Sequence, residues 1–160
     1  MLLTEKEQIP GFVLLIDFEK AFDSIEWPFL FNCLQKFNFG ENFISWIKIL
    51  YQNIKSCVGN NGYYSEAFDI SRSVRQGCPI SALLFILVAE ILAISIRDNK
   101  DIQGIAINNA TYKIAQLADD TTLFLSNLQS VSESVSLFKL VFQIFWPKSQ
   151  FKQNRIDTYW

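Results

Sequence analysis

Tyr112-Lys113-Ile114-Ala115-Gln116-Leu117-Ala118-Asp119-Asp120-Thr121-Thr122-Leu123-Phe124-Leu125 sets two adjacent carboxylates between apolar segments of β type. Neighbouring anions repel and raise each other's pKa unless a cation, a basic side chain or solvent compensates them, and a tight turn between strands points such a pair outward. Asp is common in turns, so an isolated Asp-Asp between strands is more often a solvated turn than a metal site. A second acid changes that weighing. Far upstream, Gly11-Phe12-Val13-Leu14-Leu15-Ile16-Asp17-Phe18-Glu19-Lys20-Ala21-Phe22-Asp23 ends an apolar, strand-like run in Asp17. Hard divalent cations such as magnesium take oxygen ligands, usually one or two protein carboxylates with substrate phosphates and waters. Acids at the ends of two neighbouring strands would suit metal-assisted phosphoryl or nucleotidyl transfer, but spacing alone does not tell whether these strands are neighbours.

Working outward, Phe12 to Ile16 reads as a strand that leads into a helix near Trp27 to Phe37, with Pro28 in its first turn and Gly40 as its C-terminal stop. Phe43, Ile47, Leu50 and Ile54 recur at helical spacing and predict the core face of a second helix. Ser56 to Val58 and Ala67 to Ile70 flank Gly59-Asn60-Asn61-Gly62, a hairpin signal. Arg75-Gln76-Gly77-Cys78-Pro79 is a loop before a helix over Ala82 to Arg97, with Ser81 as its N-cap. Ile105 to Ile107 and Tyr112 to Leu117 predict a hairpin turning at Asn108-Asn109, and Leu123 to Leu125 returns from the acid pair. Ser130-Val131-Ser132-Glu133 has capping-box spacing, and Val131, Val135, Phe138 and Phe142 form the apolar stripe of a last helix. The pattern predicts an α+β fold, an antiparallel sheet with helices packed on one face.

At 160 residues, half of them apolar, with a mean hydropathy of +0.17, the chain suits one compact domain with a real core. The longest apolar stretch, Leu83 to Ile96, is interrupted by Glu90 and falls short of a transmembrane span, and the N-terminus lacks a signal-peptide pattern, so an intracellular protein is expected. The absence of histidine removes imidazole metal ligands, His general bases and His-dependent triads. Cys33, Cys57 and Cys78 are dispersed and suggest neither a zinc site nor a disulfide framework. A formal charge of −2 is unusual for a nucleic-acid enzyme, whose affinity draws on Lys and Arg neutralising phosphates.

Three ordered blocks carry a resemblance. Asp17-Phe18-Glu19-Lys20-Ala21-Phe22-Asp23-Ser24-Ile25-Glu26-Trp27 looks like motif A, Arg75-Gln76-Gly77-Cys78-Pro79-Ile80-Ser81 like motif B, and Ala118-Asp119-Asp120 like motif C of a polymerase palm. From about Ile9 to Leu125 the chain resembles the palm of reverse transcriptases, most closely those of LINE-type non-LTR retrotransposons. The resemblance implies RNA-directed DNA polymerase activity, a nucleotidyl transfer that uses two Mg2+ ions, with Mn2+ as a substitute. Asp17, Asp119 and Asp120 are then the metal-binding and catalytic acids, with Asp17 binding both ions. Phe18 offers its backbone to the triphosphate, and Phe22 matches the aromatic gate whose ring clashes with a ribose 2′-hydroxyl. Gln76 and Gly77 match the turn lying against the nucleotide sugar and template base. The implied partners are template RNA, primer DNA and deoxynucleoside triphosphates, with no membrane and no haem, flavin or nicotinamide cofactor.

Two departures stand out. Leu117 replaces the usual aromatic residue before Ala-Asp-Asp, and after Glu133 the glycine of motif D is missing, although Lys148 could match its lysine, a candidate general acid for pyrophosphate. The resemblance places the reverse transcriptase domain at residues 1–150, as palm alone with fingers and thumb outside this stretch, and leaves 151–160 as an unassigned tail. An isolated fragment of this kind is expected not to extend a primer. A catalytically silent element-derived remnant and a group II intron-type palm are the alternatives.

Overall fold

Leu14 and Ile16 are buried while Leu15 between them is exposed, and Thr121, Leu123 and Leu125 repeat that alternation. A period of two with one covered face is what a strand on a core requires. The computed structural model describes residues 10–18, 20–145 and, as backbone, 155–159. In chain order the elements are β1 Gly11–Ile16, α1 Ala21–Ser24, α2 Trp27–Lys36, α3 Glu41–Leu50, β2 Lys55–Ser56, β3 Gly59–Asn60, β4 Tyr63–Tyr64, β5 Phe68–Asp69, α4 Pro79–Asp98, β6 Ile105–Ile107, β7 Ala110–Tyr112, β8 Ile114–Leu117, β9 Asp120–Leu125, α5 Leu128–Phe145 and β10 Arg155–Tyr159. They divide into two units, Met1–Ala21 with Ala89–Trp160, and Phe22–Val88.

The first unit holds a four-stranded sheet of order β10-β1-β9-β8. β1 pairs antiparallel with β9, from Phe12↔Leu125 to Ile16↔Thr121, and with β10, from Gly11↔Tyr159 to Leu15↔Arg155. β8 pairs with β9, from Ile114↔Leu123 to Leu117↔Asp120. A strand, a helix, a hairpin, a helix and a last strand arranged this way form the split βαβ plan, with α4 and α5 as its helices. β10 lies within the tail for which the sequence offered no place. Directly opposed residues share a face, so Leu14 and Leu123 meet on the buried side. Each such fully buried leucine contributes about 1.5–3 kcal/mol. α5 packs against β1 and β9 through Val131, Ser134, Phe138 and Val141, all buried at helical spacing.

Several local expectations shift by a few residues. Asn127, not Ser130, caps α5: its Oδ1 accepts from the Ser130 N–H at 2.8 Å. Ser130 is buried in the first turn, where its hydroxyl accepts from the Gln103 N–H at 2.8 Å, so no capping box forms with Glu133. The side chain of Phe142 lies outside the described residues. α4 likewise begins at Pro79, placing Ser81 inside the helix rather than at its cap. At its other end, the Lys113 ammonium donates to the carbonyls of Arg97 and Asn99.

In the second unit α2 stops at Asn38, not Gly40. Asn38 takes φ 59°, the Phe39 N–H reaches the Leu34 carbonyl and the Asn38 N–H that of Gln35, which is a Schellman closure. Gly40 instead is extended and precedes α3. The buried face of α3 is Ile44 and Ile47, continued by Tyr51, rather than Phe43, Ile47 and Leu50; Phe43 and Leu50 are exposed. Leu30, Cys33 and Leu34 are the buried residues of α2, and α2 packs on α3. Burial pushes the Cys33 thiol up to about 12, so it sits in the core as a neutral small hydrophobe. The predicted hairpin forms as two short ladders, β2 with β5 and β3 with β4, exposed throughout.

By length and composition α4, at 20 residues, could cross a membrane, being longer than the 83–96 stretch suggested by sequence. Ser81, Leu84, Phe85, Val88, Leu92 and Ile96 are nevertheless buried along one side of it, the stripe of a core helix.

Candidate functional site

Ile16 pairs with Thr121, and the next residue on each strand toward the same end is an acid, Asp17 after Ile16 and Asp120 before Thr121. One register step therefore sets Asp17 level with Asp120. The neighbour relation that spacing alone left open is thus supplied by the β1–β9 ladder. Asp119 stands in the two-residue turn of the β8–β9 hairpin, beside Ala118. Asp17 and Asp120 are exposed and Asp119 is half-buried.

The turn itself is unusual. Ala118 has φ 54°, whereas Asp119 is not in the positive region, the sign pattern of a type II′ turn, which favours glycine at the position Ala118 occupies. Below it, the Gln116 side-chain amide donates to the Thr121 hydroxyl at 3.1 Å across the two strands, fixing the ladder just before the acids. Leu117, just before the turn, is 79% exposed.

Among the described residues no three His, Cys, Asp or Glu side chains converge into a metal cage of their own. A closed cage is what calcium or zinc sites build from protein ligands; magnesium is commonly held by one or two carboxylates, with phosphates and waters completing its octahedron. Acidic oxygens presented openly at one end of two paired strands fit that donor requirement.

Phe18 is buried, and its carbonyl accepts from the Ala21 N–H at 3.2 Å in the turn that carries Lys20 at φ 56°. Phe22, Gln76 and Gly77 belong to the second unit. There the Phe22 ring stacks on Phe85 of α4, with centroids 4.5 Å apart and planes 14° from parallel, and its carbonyl accepts from the Val74 N–H at 2.8 Å. Val74 precedes the turn Arg75-Gln76-Gly77-Cys78, closed by the Cys78 N–H on the Arg75 carbonyl at 3.2 Å. Gly77 has φ +84°, the third position of a type II turn, and open space lies where its Cβ would be. Backbone conformation, rather than crowding within the unit, therefore calls for glycine there. Lys148 lies outside the described residues.

Sequence reasoning missed how tightly the two segments of this unit are stitched together. Besides Val74 to Phe22, the Ser73 N–H donates to the Ile25 carbonyl at 2.8 Å, Arg72 and Glu26 form an antiparallel bridge, and the Trp27 indole N–H donates to the Ser73 carbonyl at 2.9 Å. Ser73 pays for its place with φ 100°, and its hydroxyl donates to Asp23 at 3.2 Å. No signal in the sequence marks this pairing, because its partners are some fifty residues apart and neither is strand-like in pattern.

Residues 3–145 match the family described as reverse transcriptase (RNA-dependent DNA polymerase). The chain is similar to the Transposon TX1 uncharacterized 149 kDa protein of Xenopus laevis, 31% identical over 117 residues, covering 72% of this chain and 9% of that protein. It is also similar to the retrovirus-related Pol polyprotein from type-2 retrotransposable element R2DM of Drosophila melanogaster, 30% identical over 113 residues, 71% of this chain and 10% of that protein. The matches thus span about a tenth of each relative's length. In fold it resembles apo telomerase from Candida tropicalis truncated from the C-terminal domain, with a TM-score of 0.55 and 17% identity over 89% of this chain and 30% of that one. With the family match running over most of its length, the chain belongs to the reverse transcriptase family.

Proposed function

We propose that this chain forms the palm of an RNA-directed DNA polymerase that adds deoxynucleotides to a primer 3′-hydroxyl along an RNA template. One observation carries the reading: Asp17 and the Asp119-Asp120 pair arrive at the same end of two hydrogen-bonded strands, in adjacent register. These three acids would hold two magnesium ions. Bound there, the ions supply Lewis acidity that lowers the pKa of the primer hydroxyl and neutralises charge on the triphosphate. The remaining work falls to the chain itself. The Phe18 backbone receives the triphosphate, and the Phe22 ring, fixed by its stack on Phe85, excludes a ribose 2′-hydroxyl. Gln76 and Gly77 present a rigid turn to the sugar and template base. Template RNA, primer DNA and deoxynucleoside triphosphates are the partners.

The test replaces the corresponding segment of a complete related polymerase with residues 10–145 and measures primer extension on RNA. Magnesium-dependent extension that vanishes with Asp17→Ala or Asp119→Ala is expected. A chimera no more active than its own Asp17→Ala version would sink the reading and favour a catalytically silent remnant.

A further inference from the structure

Lys55, Arg72 and Arg75 all line one cleft of about 540 Å³ in the second unit, in a chain whose formal charge is −2. Two acids share the lining, and both are engaged: Asp69 pairs with Lys55 at 3.7 Å, and Asp23 accepts from the Ser73 hydroxyl. Among the described residues neither the Arg72 nor the Arg75 guanidinium has an ion-pair or hydrogen-bond partner. Two guanidiniums without an ion-pair partner, three residues apart on a segment whose backbone is anchored to Phe22 and Ile25, are suited to take an anion together. The same cleft exposes part of Trp27, whose orientation is set by its N–H bond to the Ser73 carbonyl and by the Tyr51 ring at 5.6 Å. A positive groove with a fixed aromatic is the arrangement that holds single-stranded nucleic acid, phosphates on the basic side chains and a nucleobase on the ring.

The geometry points to a second nucleic-acid contact in this cleft: a single-stranded segment with phosphates on Arg72 and Arg75 and a base against Trp27. Gln76 also lines the cleft, so such a strand runs on from the turn assigned above to the template base. The choice of nucleic acid over other polyanions rests on the proposed function; the anion pair itself does not.

Anisotropy of a labelled, short single-stranded RNA on the 160-residue chain, between about 50 and about 200 mM salt, tests this. The Arg72→Ala, Arg75→Ala double variant should bind at least about tenfold more weakly. The slope of log affinity against log salt should fall by about 1.4, at about 0.7 per phosphate for single strands. The double Arg→Lys variant should restore the slope, which a merely structural role would not require. RNA carrying 5-iodouridine should cross-link to Trp27. Unchanged affinity and slope in the double Ala variant would overturn the proposal. So would displacement of the RNA by a free nucleoside triphosphate at equal phosphate concentration, which would assign the pair to a free nucleotide, and so would cross-linking that avoids Trp27. Because the assay reads binding without catalysis, an inactive chimera that still binds RNA through both arginines defeats the polymerase reading and leaves the cleft standing. An active chimera indifferent to both arginines does the reverse.

Discussion

Among the described residues three hairpins turn in two residues, and one of them breaks the rule the other two obey. Asn61-Gly62 joins β3 to β4 with φ 48° and 84°, and Asn108-Asn109 joins β6 to β7 with φ 48° and 65°, both type I′ turns built from residues that tolerate the left-handed region. Ala118-Asp119 joins β8 to β9 with alanine at φ 54°. An L-residue with a Cβ pays about 1–2 kcal/mol in that region. The two well-formed turns carry no carboxylate, whereas the strained one carries Asp119 and leads directly into Asp120. Local rules are broken at functional sites, where the surrounding structure holds a conformation that propensity alone would not choose. The β1–β9 ladder does the holding here, since both of its strands are paired on either side.

The largest contrast between these turns is chemical. In the active chimera, Asp119→Ala should lower primer extension about a thousandfold or more, as expected for removal of a group that acts on charge developed in the transition state. Asn109→Ala, at the corresponding second position of the β6–β7 turn, should leave the extension rate unchanged while costing about 1 kcal/mol of stability. Equal losses of rate for the two variants would mean that both act through folding, and would remove the distinction between a functional turn and a structural one.

Stability separates the turns next. Gly62→Ala in the β3–β4 turn meets no atom within 4 Å of the new Cβ, so any cost is purely that of φ +84°. Chemical denaturation should show a loss of about 1–2 kcal/mol. An unchanged midpoint would show that the exposed hairpin contributes nothing to cooperative folding, and that its glycine is conformationally idle.

How much of this was legible depended on whether the signal was local. Gly59-Asn60-Asn61-Gly62 announced a turn, which the structure narrows to Asn61-Gly62, and Asn108-Asn109 announced another, because turn chemistry resides in a few adjacent residues. The face of α3 was misread because Phe43 stands beside Ile44 and Leu50 beside Tyr51, giving two apolar stripes that share Ile47, where only packing against α2 chooses one. Asn38 displaced Gly40, and Asn127 displaced Ser130, because either residue of each pair satisfies the terminal groups and tertiary contacts decide which does. The acids were found by sequence, but that Asp17 and Asp120 are level is a property of nonlocal pairing. The bond from Ser73 to Ile25 and the cleft with Arg72 and Arg75 left no trace in the chain at all, since arginines near a loop are ordinary until something folds against them.

Ser73 offers a second strained position that does not carry an acid, and so asks whether strain by itself marks function. At φ 100° it lies in the region that favours glycine. Ser73→Gly should relieve the backbone but lose the hydroxyl bond to Asp23, for a net gain of about 0.5 kcal/mol in thermal or chemical denaturation. Extension by the chimera should be unaffected. A loss of stability instead would show that the Ser73–Asp23 bond outweighs the strain, making Asp23 a structural acid.

Ala118→Gly is the smallest and most discriminating change. Glycine removes the penalty at φ 54° and adds conformational freedom to the unfolded chain, and the two terms nearly cancel, leaving a gain of about 0.5 kcal/mol or less. If the strained turn serves only to connect two strands, extension by the chimera should be unchanged or slightly improved. If strain fixes Asp119 relative to Asp120, the freed turn should lower the extension rate several-fold at unchanged nucleotide KM, because a misplacement of the acids is felt in the chemical step and not in binding. The second outcome is expected, since Gln116 and Thr121 clamp the hairpin just below the acids, the ladder sets Asp120, and the turn sets Asp119. An Ala118→Gly chimera with full activity would reduce the Ala118-Asp119 turn to the same standing as the other two.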